Sequence, residues 1–487
     1  MVVHQSLSLL QFMADQGLVP SPDENIKRDS VIQKLNKIVQ CWIKKIAWQR
    51  MLSENVIRDA SAAVLLYGSY GLGVHDSESD IDALCVVPWF ATMAEDFFIV
   101  LYNMLKGRPE VSDIRCVKDA KVPLMRFEFE GIPIDFPYAQ LQVISIPESV
   151  DLLNPSFLTK IDETSWRSIS GVIVNVRVLQ LVPNLENFRS LLRCTKFWAK
   201  RRGIYGNLFG FFGGIHLAIL SAVICQRSPD ACLSALVMSF FSTFASWPWS
   251  TPVVLQDGSM QSVEDVTENR CLMPIKLPCS PYQYCQSYIT RSTFNRIRVE
   301  FLRGQKMTND ILKPDFNWDR LFEPYCNMYL SRYPRFLKIY LVACVKDSLG
   351  DWIGWVKSRF PSLILKLEEI RVSCDPNPTE YANTSTVDKE PAIFFYWGLN
   401  MARGVDLTSV LKEFKNNLTD DYQGMPGKIV LSIVSASELS DIDQIPTRAR
   451  RRVVDYDQQR IPVYSRHLPN YVVGFMASQG DHSGFCV

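Results

Sequence analysis

The 487-residue chain is 47% hydrophobic and 21% charged, and 52 Lys+Arg against 51 Asp+Glu leave a formal charge of +1. These proportions exclude a disordered chain, a collagen-like repeat and a coiled coil, and the length suggests about two to four globular domains. With no global positive charge, nucleic-acid binding would have to come from a local basic surface. The 13 cysteines are scattered with no C-x-x-C pair, which favours a reducing compartment over a disulfide framework or zinc site. The N-terminal stretch has no basic leader, so no signal peptide is expected.

Residues 25–52 read as an amphipathic helix, with Ile32, Leu35, Ile38, Val39 and Trp42 at helical spacing. A second helical run covers 54–63. Short apolar strands follow at 64–67 and 81–87, then a helix at 95–106. Strands at 122–129 and 132–138 are joined at Glu130-Gly131, a hairpin signal. Past 147 the pattern is helical, clearest at 187–202, 215–227, 231–246 and 290–304, with an irregular stretch at 258–281. Residues 207–225 are long enough to cross a bilayer, but their opening glycines and His216 favour a buried core helix. Beyond about residue 321 the pattern becomes α+β. Strands are expected at 336–346, 392–399 and 429–434, a helix at 352–371, and polar loops at 374–391 and 416–428.

The chemistry concentrates in three places. Gly68-Ser69 follows the first strand, Asp80-Ile81-Asp82 opens the second, and Asp135 lies at the end of the hairpin. Side chains alternate along a strand, so Asp80 and Asp82 share a face while Ile81 points into the core. Asp135, on a neighbouring strand, can complete a cluster of three carboxylates. Such a cluster is costly without divalent cations, and oxygen ligands suit Mg²⁺ or Mn²⁺. The backbone N–H groups at Gly68-Ser69 and the Ser69 hydroxyl can hold phosphate oxygens. Alone, each part reads as an ordinary turn, a solvated strand or a surface acid. Together, at this spacing, they point to metal-dependent nucleotidyl transfer.

The segment YGSYGLGVHDSESDIDALCV (67–86) resembles the signature of polymerase β-type nucleotidyltransferases, and within them the eukaryotic, plant-type poly(A) polymerases. VPLMRFEFEGIPID (122–135), LVPNLENFRSLLRCTKFWAKRRGIYGN (181–207), GFFGGI (210–215) and LMPI (272–275) resemble later blocks of that family. The resemblance implies an α+β, multidomain fold. It comprises an N-terminal helical segment packing with the central domain (1–53), a polymerase β-like palm (54–150) and a helical central domain (151–325). A C-terminal RRM-like α/β sandwich (326–475) and a tail (476–487) complete it.

It also implies template-free addition of AMP from ATP to the 3′-OH of mRNA in 3′-end processing. Asp80, Asp82 and Asp135 would be catalytic and hold two Mg²⁺ or Mn²⁺ ions. Tyr67, Gly68, Ser69, Ile81, Lys196, Tyr205, Gly214 and Ile215 would join them around ATP. Lys121, Arg126 and Tyr288 fall where the family approaches RNA. Cleavage and polyadenylation factors would be partners of a monomer that does not enter membranes. The family's long basic tail is replaced by a short arginine cluster at 448–452. The expected location is therefore nucleus, cytoplasm or both, with the expected lack of the long basic tail leaning toward a cytoplasmic share. Gly71, Ser170 and Gly206 stand where relatives carry Arg, Asn and Ser, and 258–270 is shorter than usual. A terminal nucleotidyltransferase with another base preference, such as a uridylyltransferase, and a catalytically weak RNA-binding scaffold stay open as alternatives.

Overall fold

The computed structural model describes residues 2–439, apart from 119, 148, 257–270, 280–283, 314–315, 343–348, 383–391 and 421–426. The expectations for 258–270, for the arginine cluster at 448–452 and for the tail at 476–487 lie outside the described residues.

Helix α1 (Val2–Asp15) is an element the periodicity did not announce. Its Leu9 and Met13 are buried, and Ser6 donates a hydrogen bond to Ser234 in the helical region. Helix α2 (Pro22–Gln49) starts at a reciprocal cap in which Ser21 and Glu24 each accept the other's backbone N–H, with Pro22 in the first turn. Its buried stripe of Val31, Leu35, Ile38, Val39, Trp42 and Ile46 covers the first sheet.

After α3 (Glu54–Asp59) come β1 (Ala63–Tyr67), a single helical turn α4 (Gly68–Gly71) and β2 (Ile81–Pro88). The helix expected at 95–106 opens as a π-helical stretch, Met93–Leu101, and becomes α-helical only at α5 (Tyr102–Lys106). Strands β3 (Val111–Val117), β4 (Leu124–Phe129) and β5 (Ile132–Leu141) complete a sheet of order β1-β2-β5-β4-β3. Strands β2 and β5 are parallel, and every other pair is antiparallel. The hairpin turn holds Glu130 and Gly131 at φ of 51° and 74°, the pair of positive values that a twisted two-residue hairpin requires.

The helical region contains α6 (Glu163–Leu181), α7 (Leu185–Arg201), α8 (Gly214–Arg227), α9 (Leu233–Ala245), α10 (Arg291–Thr308) and α11 (Cys326–Arg332). Asp162 caps α6 by accepting from Ser165 N, and Asn184 caps α7 by accepting from Asn187 N. The apolar run at 207–225 becomes a short 3₁₀ turn followed by buried α8, and no described helix is long and apolar enough to cross a membrane. No disulfide joins the described cysteines.

The last described elements are β6 (Arg335–Val342), α12 (Leu349–Ser358), α13 (Phe360–Glu369), β7 (Ser373–Pro376), β8 (Tyr381–Ala382), β9 (Ala392–Asn400), α14 (Thr408–Asp420) and β10 (Lys428–Ser435). The sheet order is β10-β6-β9-β7, all antiparallel, with β8 added to β9. Three expectations change here. The helix at 352–371 is two helices, because Pro361 starts a new first turn in α13. The expected loop at 374–391 carries β7 and β8, with Cys374 and Asp375 buried, and its part at 383–391 lies outside the described residues. The loop expected at 416–428 begins with helix up to Asp420, and the strand end at 343–346 lies outside the described residues.

A buried ionic node ties α7 and α10 to β7. Arg202 and Glu300 are 0% and 1% exposed and joined by two hydrogen bonds of 2.8 and 3.0 Å. Arg296 donates to Glu300 at 2.7 Å and lies 3.4 Å from Asp375. The Tyr325 and Tyr333 hydroxyls donate to the same Asp375 oxygen at 2.6 and 2.8 Å.

Candidate active site

The parallel pairing of β2 and β5 sets Asp82 level with Asp135, and the antiparallel pairing of β1 and β2 sets Tyr67 level with Asp82. Asp80 lies one residue before the first ladder position of β2, not within it, and Ile81 between the two acids is fully buried. Burial, with Asp80 and Asp135 nearby, pushes the Asp82 carboxyl up to about 7. The Tyr67 hydroxyl is pushed up by burial and by the fields of Asp82, Asp135 and Asp80, which places it against the same charge. Gly68 has φ +62°, and a Cβ there would lie 1.8 Å from Asp82 Oδ2. Only glycine therefore fits between the strand end and the carboxylate. Ser69 is the next residue in the one-turn helix that begins at Gly68.

Positions 68–80 are held from three helices, by contacts that the sequence did not reveal. Asn175 on α6 donates to Gly68 O at 3.0 Å. Arg28 on α2 donates to the carbonyls of Ser77 and Ser79 at 3.1 and 2.7 Å. Arg189 and Arg193 on α7 donate to the carbonyls of Leu72 and Gly73. Lys200 pairs with Asp76 at 3.1 Å, and although burial opposes it, Lys200 and the Ser79 hydroxyl hold that carboxyl at about 2. Arg189, Arg193, Lys196 and Lys200 recur along α7 at helical spacing, so a basic stripe aimed at one target was the available signal.

Lys196 is half-buried on that stripe. Burial and Lys200 lower its ammonium to about 8, while Asp76, Asp80 and Asp82 act in the opposite sense. Tyr205 lies under Lys200, whose Nζ is 5.9 Å from the ring centroid, and its hydroxyl is where a Cβ on Gly214 would make a 3.3 Å contact. Tyr205, Gly214 and Ile215 thus gather at the start of α8. His216 accepts from Gly213 N at 2.9 Å, and burial lowers its imidazole to about 4, so it caps the helix as a neutral ring.

Arg126 is an exposed side chain at the sheet surface, paired to a carboxylate of the candidate site. It donates to both oxygens of Asp135, each at 2.6 Å. Lys121 is exposed, and Tyr288 is half-buried with its hydroxyl accepting from Gln286 at 2.6 Å. Two departures acquire a physical reason. A Cβ at Gly71 would lie 2.9 Å from the Leu66 carbonyl oxygen, so a larger residue needs that backbone to shift. Gly206 has φ +146°, which strains a serine. Ser170 is inside α6 and donates to the Arg167 carbonyl at 2.8 Å, so it is not a cap residue.

Residues 3–182 match the family model for the poly(A) polymerase nucleotidyltransferase domain, and residues 187–324 match that for the poly(A) polymerase central domain. The chain belongs to the poly(A) polymerase family. It is 52% identical to Nuclear poly(A) polymerase 3 of Arabidopsis thaliana over 96% of this chain and 94% of that protein. It is 36% identical to Nuclear poly(A) polymerase 4 of the same plant, covering 87% of this chain and 59% of that one. A poly(A) polymerase of Dictyostelium discoideum is also 36% identical, over 86% of this chain and 54% of its own length. The chain therefore spans nearly all of the first relative and little more than half of the other two. Among solved structures it is similar to the Cid1 poly(U) polymerase, at 14% identity and a TM-score of 0.46, covering 66% of this chain and 99% of that one.

Poly(A) polymerase membership implies a nucleotide substrate and a divalent cation. The donor chemistry fits a hard cation: carboxylate oxygens on adjacent strand positions, with the Asp82 carboxyl held near 7 by burial and by its acidic neighbours. As the side chains stand, no three His, Cys, Asp or Glu residues among those described converge on one ion, and Asp135 is engaged by Arg126.

Proposed function

We propose that the chain is a polynucleotide adenylyltransferase that adds AMP from ATP to an RNA 3′-OH without a template. The observation that carries this reading is the Gly68-Ser69 turn seated directly on Asp82, level with Asp135, in a chain of the poly(A) polymerase family. Asp80, Asp82 and Asp135 would hold Mg²⁺ or Mn²⁺, as two ions. Bound there, the ions supply charge neutralisation for the triphosphate and a lower pKa for the attacking hydroxyl.

The chain's own groups do the rest. The turn's N–H groups and the Ser69 hydroxyl take phosphate oxygens. Lys196 lends positive charge opposite the carboxylates. Tyr67, Tyr205, Gly214 and Ile215 shape the nucleotide's place between β1 and the start of α8. Selectivity for adenine would arise there, through contacts that a wrong base leaves unmade.

The palm would cover 54–150, the helical region 151–325 and an RNA-binding domain 326–475. The strand order β10-β6-β9-β7 favours an RRM-like reading of the last, since it has the arrangement of a split βαβ unit. The plant relatives are nuclear poly(A) polymerases by name, which favours the nucleus and gives no support for a cytoplasmic share. Purified protein given each of the four NTPs with an oligo(A) primer tests the assignment. ATP incorporation dependent on Mg²⁺ or Mn²⁺ is expected. A preference for UTP, or no incorporation with either ion, would overturn it.

Lys196→Ala is expected to raise KM for ATP by about tenfold to a hundredfold, the range for a lost hydrogen bond to a charged group of roughly 1.5–3 kcal/mol. Primer affinity should be unchanged. Loss of primer affinity alone would move Lys196 to the RNA path.

Ser170→Asn has a smaller expected effect. Ser170 precedes Gly171, where a Cβ would meet the Tyr67 ring at 3.3 Å, so a longer amide at 170 starts close to the nucleotide's surroundings. One added hydrogen bond of about 0.5–1.5 kcal/mol raises kcat/KM for ATP by up to about tenfold. Steady-state kinetics with four NTPs check this, and unchanged ATP values would leave Ser170 a helix residue only.

A further inference from the structure

We propose that Arg126 is a built-in counter-ion for Asp135, which a divalent cation must displace before it can load. Position 126 then sets the cation concentration at which the site fills. The inference rests on the metal-dependent reading given above.

Arg126 on β4 stands directly opposite Asp135 on β5 in the antiparallel register. Its Nε donates to Oδ1 and its Nη2 to Oδ2, both at 2.6 Å, so both carboxylate oxygens are engaged at once. The planar guanidinium matches a carboxylate in this two-bond manner, which a lysine ammonium cannot do. The same Asp135 is the ladder partner of Asp82 in the parallel pair β2–β5. The carboxylate that Arg126 covers is thus the one that must turn toward Asp82 to share a cation.

The two partners differ in freedom. The Asp135 side chain is 17% exposed and that of Arg126 is 57% exposed. The carboxylate is fixed at the sheet surface, whereas the guanidinium can move into solvent on a flexible stem. Asp80 and Asp351, the latter in the first turn of α12, also act electrostatically on Arg126, so it has anionic neighbours besides Asp135. Arginine and cation compete for the same lone pairs. Whatever free energy holds the pair is therefore subtracted from cation affinity.

Free Mn²⁺ measured by electron paramagnetic resonance, in titrations of the full chain without ATP or RNA, reads this directly. Arg126→Gln is expected to bind Mn²⁺ about tenfold more tightly than wild type, the order of magnitude of one lost charge-assisted pair. Arg126→Lys should fall between them. In an Asp135→Asn background, Arg126→Gln should change nothing, because the competing contact is already gone.

Equal or weaker Mn²⁺ binding by Arg126→Gln overturns the proposal. The same gain in the Asp135→Asn background also overturns it, since that reports a general charge effect. Circular dichroism confirms folding. If the glutamine variant does not fold, Arg126→Lys carries the test, and affinity no tighter than wild type overturns the proposal. Equal Mn²⁺ affinity in wild type and Asp135→Asn is a different failure: it removes Asp135 from the metal site and the proposal with it.

Discussion

Asp82→Asn is expected to cut AMP incorporation by about 10³-fold or more, the lower range for losing a charge contact in phosphoryl transfer. It should do so without weakening the fold. Burial and the neighbouring Asp80 and Asp135 push the Asp82 carboxyl up to about 7, so the folded chain disfavours its charged form. The unfolded carboxyl titrates near about 3.9, so the cost to the native state grows as pH rises between those values and levels off above the upper one. Asparagine keeps the shape and carries no such cost. In the presence of a chelator, Tm of Asp82→Asn should match wild type near pH 4 and equal or exceed it at pH 8. Asp135→Asn should differ, because it strips Arg126 of a partner at 2.6 Å and gains nothing in metal-free stability. Substantial Mg²⁺-dependent extension by either variant would sink the metal assignment.

The second large effect is on stability. Glu300→Ala leaves Arg202 and Arg296, 0% and 3% exposed, without the carboxylate that joins them. Removing one partner of such a buried set costs about 3–5 kcal/mol. Glu300→Gln keeps the size and one acceptor, and so should cost less. Burial raises the Glu300 carboxyl, but hydrogen bonds from Arg202 and the charges of Arg296 and Arg202 outweigh it and leave it below its ordinary value. A depressed carboxylate stabilises fully above the unfolded value of about 4.3 and loses its contribution as pH falls through the folded one. The gap between wild type and Glu300→Gln should therefore be constant near neutrality and close in acid. Urea unfolding across that range measures it. A Glu300→Ala cost under about 1 kcal/mol would mean that the arginines find other acceptors.

Much of the site was legible because its signals are local. Apolar runs located the strands, Glu130-Gly131 located the hairpin, and Gly68-Ser69 before Asp80-Ile81-Asp82 marked the turn and the acids of the candidate site. What escaped depends on contacts far apart in sequence. Asp375 reads as a loop acid, yet it is 4% exposed and serves as acceptor for two tyrosine hydroxyls. Asn175 sits mid-helix with no motif around it, and its role appears only once α6 lies against Gly68. Arg126 had a charge but no partner until β4 and β5 were aligned residue by residue. Other misses had readable causes. Pro361 announces the break between α12 and α13, and Gln5, Leu9 and Met13 form a buried stripe too polar at one end to register as amphipathic.

The grip on residues 68–80 has an effect on how variation in this chain will be interpreted. The carbonyls of Gly68, Leu72, Gly73, Ser77 and Ser79 are all claimed by side chains from α2, α6 and α7. On the proposed reading, in which this turn takes the phosphates of ATP, a loop fixed in this way loses little freedom on binding, so much of the affinity reflects order already present in the free chain. The residues imposing that order are 28, 175, 189 and 193, and none of them belongs to the glycine-serine signature. A natural variant at one of them would keep every residue of the signature and still bind nucleotide poorly. In a genetic screen it would look like a silent position with a catalytic phenotype.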